Sequence, residues 1–145
     1  HYHLHRGPDY ARDFLGYGRE ALAAIPDIST QRFAGVGNPL AIGPVKPGST
    51  VLDHACGAGM DLLLAARQVG PRGRAIGVDA TPAMAQVATQ AARQAGLDAI
   101  VEIHQGFYEA LPVLSATFTL WLANLALPAI AGGVMLVAAR RGSAA

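Results

Sequence analysis

Short apolar runs alternate with longer stretches of helical periodicity through the middle of the chain. Thr50–His54, Ala75–Asp79 and Ala99–His104 have the length and composition of strands. Met60–Val69 and Pro82–Ala95 read as helices between them, with Pro71-Arg72-Gly73 as a turn. Strand, helix, strand, helix, strand at this spacing predicts right-handed parallel βαβ units. Upstream, Tyr10–Gly16 and Arg19–Ile25 read as short helices, the second carrying Leu22, Ala23 and Ile25 and stopping at Pro26. Turn chemistry follows at Ala34–Pro39 and again at Pro47-Gly48. The expected organisation is an arm over residues 1–40 and an α/β domain over 41–112.

Beyond the domain the pattern changes. No charge separates Glu109 from Arg140. The most apolar 19-residue window of this run averages roughly +1.9 on a hydropathy scale, within the range of membrane helices. A span needs about 20 apolar residues, and Val113–Ala139 supplies more. Pro128, Gly132, Gly133 and Asn124 are all compatible with a packed membrane helix. Arg140 and Arg141 would anchor it at the interface, within a short basic tail over 140–145. The alternative is two buried strands of a sheet. The expectation is a single-pass membrane helix over 113–139 in contact with lipid.

Composition narrows the function classes. The chain has 145 residues, 14% of them charged, and a net charge of +1. No basic field suits it to nucleic acid. A single cysteine, Cys56, excludes an intramolecular disulfide and a multi-cysteine zinc site. The sequence starts at His1 with no signal-peptide pattern. His1, His3 and His5 alternate and would share one face of an extended segment, but a solvated terminal cluster is the simpler reading. No metal set is expected.

The chemistry lies in Val51-Leu-Asp-His-Ala-Cys-Gly-Ala-Gly-Met60, a strand running through a glycine turn into a helix. Such a turn lets a ligand approach the backbone, and the helix start offers free N–H groups. Gly77-Val-Asp79 closes the second strand about 20 residues on, where a carboxylate can accept hydrogen bonds from ribose hydroxyls. Together these point to a nucleoside-containing cofactor. Cys56, in the turn, could be acidified by the helix start; an ordinary structural thiol is the simpler reading.

"LGYGREALAAIP", "AGVGNPLA", "PGSTVLDHACGAGMDLLLAARQVGPRGRAIGVDATPAM" and "GFYEALPV" resemble successive blocks of the arsenite-methyltransferase-like branch of class I S-adenosylmethionine methyltransferases. The resemblance runs from about Leu15 to Val113. It implies a Rossmann-like sheet, with Gly57, Ala58 and Gly59 facing the methionine part of the cofactor. Asp79 would face the ribose, and Ala80, Phe107 and Tyr108 the adenine; Asp53 would be a further inherited contact. Three departures stand out. Ala55 replaces the family's first motif glycine, with His54 beside it. Val36 stands where the family's "GCGNP" has its cysteine, which argues against arsenite as acceptor. Phe118–Asn124 overlays the family's fourth strand and Gly132–Val137 its fifth, but only Leu125–Ala131 would connect them, too few for a parallel crossover. The overlap is read as a remnant of ancestry.

The resulting fold class is α/β: a truncated Rossmann-like parallel sheet of about three strands, then one C-terminal transmembrane helix. The first strand would be a sheet edge needing cover. The expected function is a membrane-anchored, methyltransferase-like accessory subunit of a larger membrane complex, such as a respiratory or photosynthetic one. It would have no catalytic residues and an absent or vestigial S-adenosylmethionine site. Other membrane subunits would be its partners, and the N-terminal domain is expected on the cytoplasmic side. The alternative is an S-adenosylmethionine-dependent methyltransferase acting on a small molecule.

Overall fold

The computed structural model describes residues 5–107 and 120–122. Three short helices, α1 (Gly7–Leu15), α2 (Arg19–Ala23) and α3 (Asp27–Thr30), form the N-terminal arm, and a 3₁₀ turn spans Pro39–Ile42. The α/β part follows as β1 (Thr50–His54), α4 (Met60–Val69), β2 (Arg74–Asp79), α5 (Pro82–Gln94), β3 (Val101–Gln105) and β4 (Leu120–Leu122). The expected strands and the two long helices are present, with ends within two residues of expectation.

All pairings are parallel, and the order is β3-β2-β1-β4. The three expected strands are present as β1–β3, and the short β4 adds a fourth. Leu120, Trp121 and Leu122 pair with Val51, Leu52 and Asp53, so β1 lies inside the sheet and is not an edge. This strand falls within the span expected to be a membrane helix, so residues 120–122 are corrected from helix to strand. The physical reason is an ambiguity of composition. A parallel strand buried on both faces reads as an unbroken apolar run, as a membrane helix does. Residues 106–119 separate β3 from β4, enough chain for a parallel crossover. The expected fifth-strand overlay and the remainder of the apolar run lie outside the described residues. Among the described residues, no helix is long and apolar enough to cross a membrane.

Helix α4 is the centre of the packing. Its side chains are buried on nearly every side, with Leu62, Leu63, Ala65 and Ala66 all at 0% exposure. A helix apolar all round must be covered all round. Ala65 and Val69 pack with Val51 of β1, and Leu62 and Ala66 pack with Ala75 of β2 and with Cys56. Met60, Leu63 and Leu64 meet Ala11, Tyr17, Leu22, Ile25 and Phe33 of the arm and Ala91 and Ala92 of α5. The arm thus covers α4 and leaves the edge of β1 to β4. Each fully buried Leu contributes about 1.5–3 kcal/mol, so the arm is part of the core.

Candidate functional site

Strand β1 delivers the chain to the turn Ala55–Gly59, and α4 starts immediately after. Gly57 (φ +55°) and Gly59 (φ +87°) are left-handed, a conformation glycine adopts without steric cost. Ala55 is the exception, a non-glycine residue at φ +63°. Its methyl group stands where the family has hydrogen, and the backbone keeps the conformation suited to glycine. Such a residue stores strain at a ligand-facing turn.

Asp79, at the end of β2, ties the turn in place. Its Oδ2 accepts from the Gly57 N–H at 2.8 Å, and its Oδ1 accepts from the Thr81 N–H at 2.9 Å. A carboxylate oxygen has two lone pairs, so each retains capacity for a ribose hydroxyl. β2 can lie this close because Gly77 carries no side chain. A Cβ there would sit 2.6 Å from Leu62 Cδ2 and 2.9 Å from Cys56 Sγ.

A cleft of about 310 Å³ opens between the turn and the arm. Asp53, Ala55, Cys56, Gly57, Ala58 and Asp61 line one wall, and Ser29, Arg32 and Phe33 line the arm side. A Cβ on Gly57 would meet nothing within 4 Å, so the glycine leaves open space beside the backbone. Asp53 is 2% exposed, and burial, reinforced by Asp61 and Asp79, pushes its carboxyl well above the usual range. Asp61 is also buried; its Oδ1 accepts from the Tyr17 hydroxyl at 2.6 Å. Burial, with Asp53 and Asp79 nearby, raises the Cys56 thiol well above its ordinary value. This agrees with the simpler reading of Cys56 as an ordinary structural thiol, because desolvation outweighs the helix start.

The expected site residues thus divide. Asp53, Gly57 and Ala58 share the cleft, and Gly59 caps α4 beside it, its would-be Cβ 3.2 Å from Ala88 Cβ. Asp79 reaches the cleft wall through Gly57. Ala80 is exposed, and Phe107 is 65% exposed, both outside the cleft. The Gly106 N–H donates to the Asp79 carbonyl at 3.0 Å, which sets the end of β3 beside Asp79. Tyr108, His1 and His3 lie outside the described residues. His5 stacks on Tyr10 with ring centroids 5.2 Å apart. No group of metal-ligating side chains occurs among the described residues. Asp61, Tyr17, Ser29 and Arg32 were not singled out by the sequence. Asp61 had a signal in its place on the first turn after the glycines; the arm residues had none.

A parallel sheet whose first strand enters a glycine turn, tied to a carboxylate ending the second, is the Rossmann-like arrangement. The chain belongs to the methyltransferase domain family, whose profile matches residues 45–140. It is 38% identical over 110 residues to an arsenite methyltransferase of Halobacterium salinarum, covering 76% of this chain and 28% of that protein. It is 39% identical over 61 residues to a 2-phytyl-1,4-naphtoquinone methyltransferase of Synechococcus elongatus, covering 42% of this chain and 26% of that one. Among solved structures, the arsenic(III) S-adenosylmethionine methyltransferase of Chlamydomonas reinhardtii is similar with a TM-score of 0.63 at 35% identity. That match covers 73% of this chain and 38% of the other. The resemblance to the arsenite-methyltransferase-like branch holds, and the chain spans well under half the length of these relatives.

Proposed function

We propose that this chain binds S-adenosylmethionine in the cleft beside the glycine turn and serves methyl transfer to a small molecule. The observation that carries the reading is the turn itself. Asp79 fixes the Gly57 N–H from behind while the space in front of Gly57 stays open. When bound, S-adenosylmethionine supplies an electrophilic methyl group. The chain's own residues hold it: Gly57 and Ala58 along the methionine part, Asp79 at the ribose, and Ala80 with Phe107 and Tyr108 towards the adenine. Asp53 gains a cationic neighbour there, which favours the ionised form that burial otherwise opposes.

Val36 makes arsenite a poor acceptor, because it stands where the resemblance places the family's cysteine.

The reading as a membrane-anchored accessory subunit rests on the apolar run alone. The parallel strand at Leu120–Leu122 and the family match over residues 45–140 favour the methyltransferase reading instead. Alkaline carbonate extraction separates the two: release into the supernatant favours the enzyme reading, retention in the pellet the anchored one.

The cofactor test is thermal. A ligand at 100 times its dissociation constant adds about 2.7 kcal/mol to apparent stability. S-adenosylmethionine should therefore raise the melting temperature in a concentration-dependent way. An unchanged melt at millimolar ligand would refute the proposal.

A further inference from the structure

The cleft has an arm wall that the glycine motif does not explain. Ser29 is 0% exposed, lines the cleft, and its Oγ has no hydrogen-bond partner among the described residues. A buried hydroxyl left in this state loses its water without a replacement, which is destabilising unless a ligand supplies the partner. Arg32 lines the same wall. Its Nη1 donates to the Ile28 carbonyl at 2.9 Å, and no carboxylate pairs with its guanidinium among the described residues. Across the lining, both acids that face the cleft, Asp53 and Asp61, belong to β1 and α4. The cleft therefore carries a donor wall on the arm and an acidic wall on the sheet. A ligand end with separated charges of both signs matches it, and a simple anion or cation matches only half.

We propose that Ser29 and Arg32 grip the carboxylate of an α-amino-acid end, with its ammonium set against Asp53 and Asp61. The inference rests on the proposed cofactor, whose methionine part is such an end, and it makes two arm residues determinants of specificity. Arg32 supplies charge and an N–H fork, and Ser29 supplies one hydroxyl donor. The arm residues would then select for the complete zwitterion, with the glycine turn running along the methionine part and Asp79 serving the ribose.

The test compares three ligands on the full chain: S-adenosylmethionine, its decarboxylated form, and 5′-methylthioadenosine, which lacks the amino-acid end. Ser29→Ala and Arg32→Gln should each weaken S-adenosylmethionine binding about tenfold or more, the scale of one charge-assisted hydrogen bond. Both should leave methylthioadenosine and decarboxylated S-adenosylmethionine within about twofold, because those ligands offer no carboxylate to lose. Ser29→Ala should melt no lower than the parent without ligand, since it removes an unsatisfied hydroxyl. Equal weakening of all three ligands would assign the pair a structural role and overturn the inference. Unchanged S-adenosylmethionine binding in both variants would overturn it too, while leaving the cofactor reading intact. Failure of the parent chain to bind any of the three would overturn both.

Discussion

The buried carboxyl of Asp53 gives a prediction whose sign and slope both follow from its surroundings. The side chain is 2% exposed, with Asp61 and Asp79 as the charges that raise its pKa after burial itself. In the unfolded chain the group titrates near the ordinary aspartate value. In the folded chain it holds its proton to a much higher pH. Below about pH 4 the group is protonated in both states and contributes no pH dependence. As pH rises, the unfolded chain releases the proton first, so the folded state binds more protons than the unfolded one. Stability must then fall with rising pH, by about 1.4 kcal/mol per pH unit, until the folded pKa is passed. Asp53→Asn removes this term and keeps the shape. Urea denaturation of both proteins from pH 4.5 to 8 isolates the term together with its coupling to Asp61 and Asp79, because carboxylates not coupled to Asp53 cancel in the difference. The variant should gain on the parent steadily as pH increases. A difference that stays flat, or that favours the parent at higher pH, would refute the burial argument.

Further expectations follow from individual contacts. Ala55→Gly releases a left-handed alanine worth about 1–2 kcal/mol, less the extra unfolded-state entropy of glycine of about 0.5–1 kcal/mol; chemical denaturation should show a net gain of up to about 1.5 kcal/mol, and a loss would mean the φ of +63° is not strained. Gly77→Ala drives a methyl group against Leu62 and Cys56 and should cost about 1–3 kcal/mol; an unchanged urea midpoint would contradict the close approach. Leu63→Ala, at 0% exposure between the sheet helix and the arm, should cost about 2–5 kcal/mol; a loss under 1 kcal/mol would mean that the arm is not part of the core.

The sequence was most legible where local pattern and burial agree. β1 and α4 begin and end where their apolar runs and the glycine turn put them, because Pro47-Gly48 and Gly70-Pro71 bracket the pair. The four-residue α3 escaped notice, since one turn carries almost no periodicity. β4 was misread for a different reason: its composition fits either a central strand or a lipid-facing helix, and only the partner β1 decides. The site followed the same division. Asp53, Gly57 and Asp79 announce themselves through motif spacing. Tyr17 reaches Asp61 across 44 positions, and Ser29 reaches the cleft only because the arm folds over α4. Contacts of that span leave no periodic trace in a single sequence.

The central claim is that the glycine turn and Asp79 hold a working S-adenosylmethionine site despite Ala55. Isothermal titration of the full chain with S-adenosylmethionine tests it most directly, beside Asp79→Asn, which keeps an acceptor for one backbone N–H and loses the charge. The account predicts a micromolar dissociation constant in the parent, weakened at least about tenfold in the variant, the scale of a charge-assisted hydrogen bond. Binding no tighter than millimolar in the parent, or binding that Asp79→Asn leaves unchanged, would contradict it.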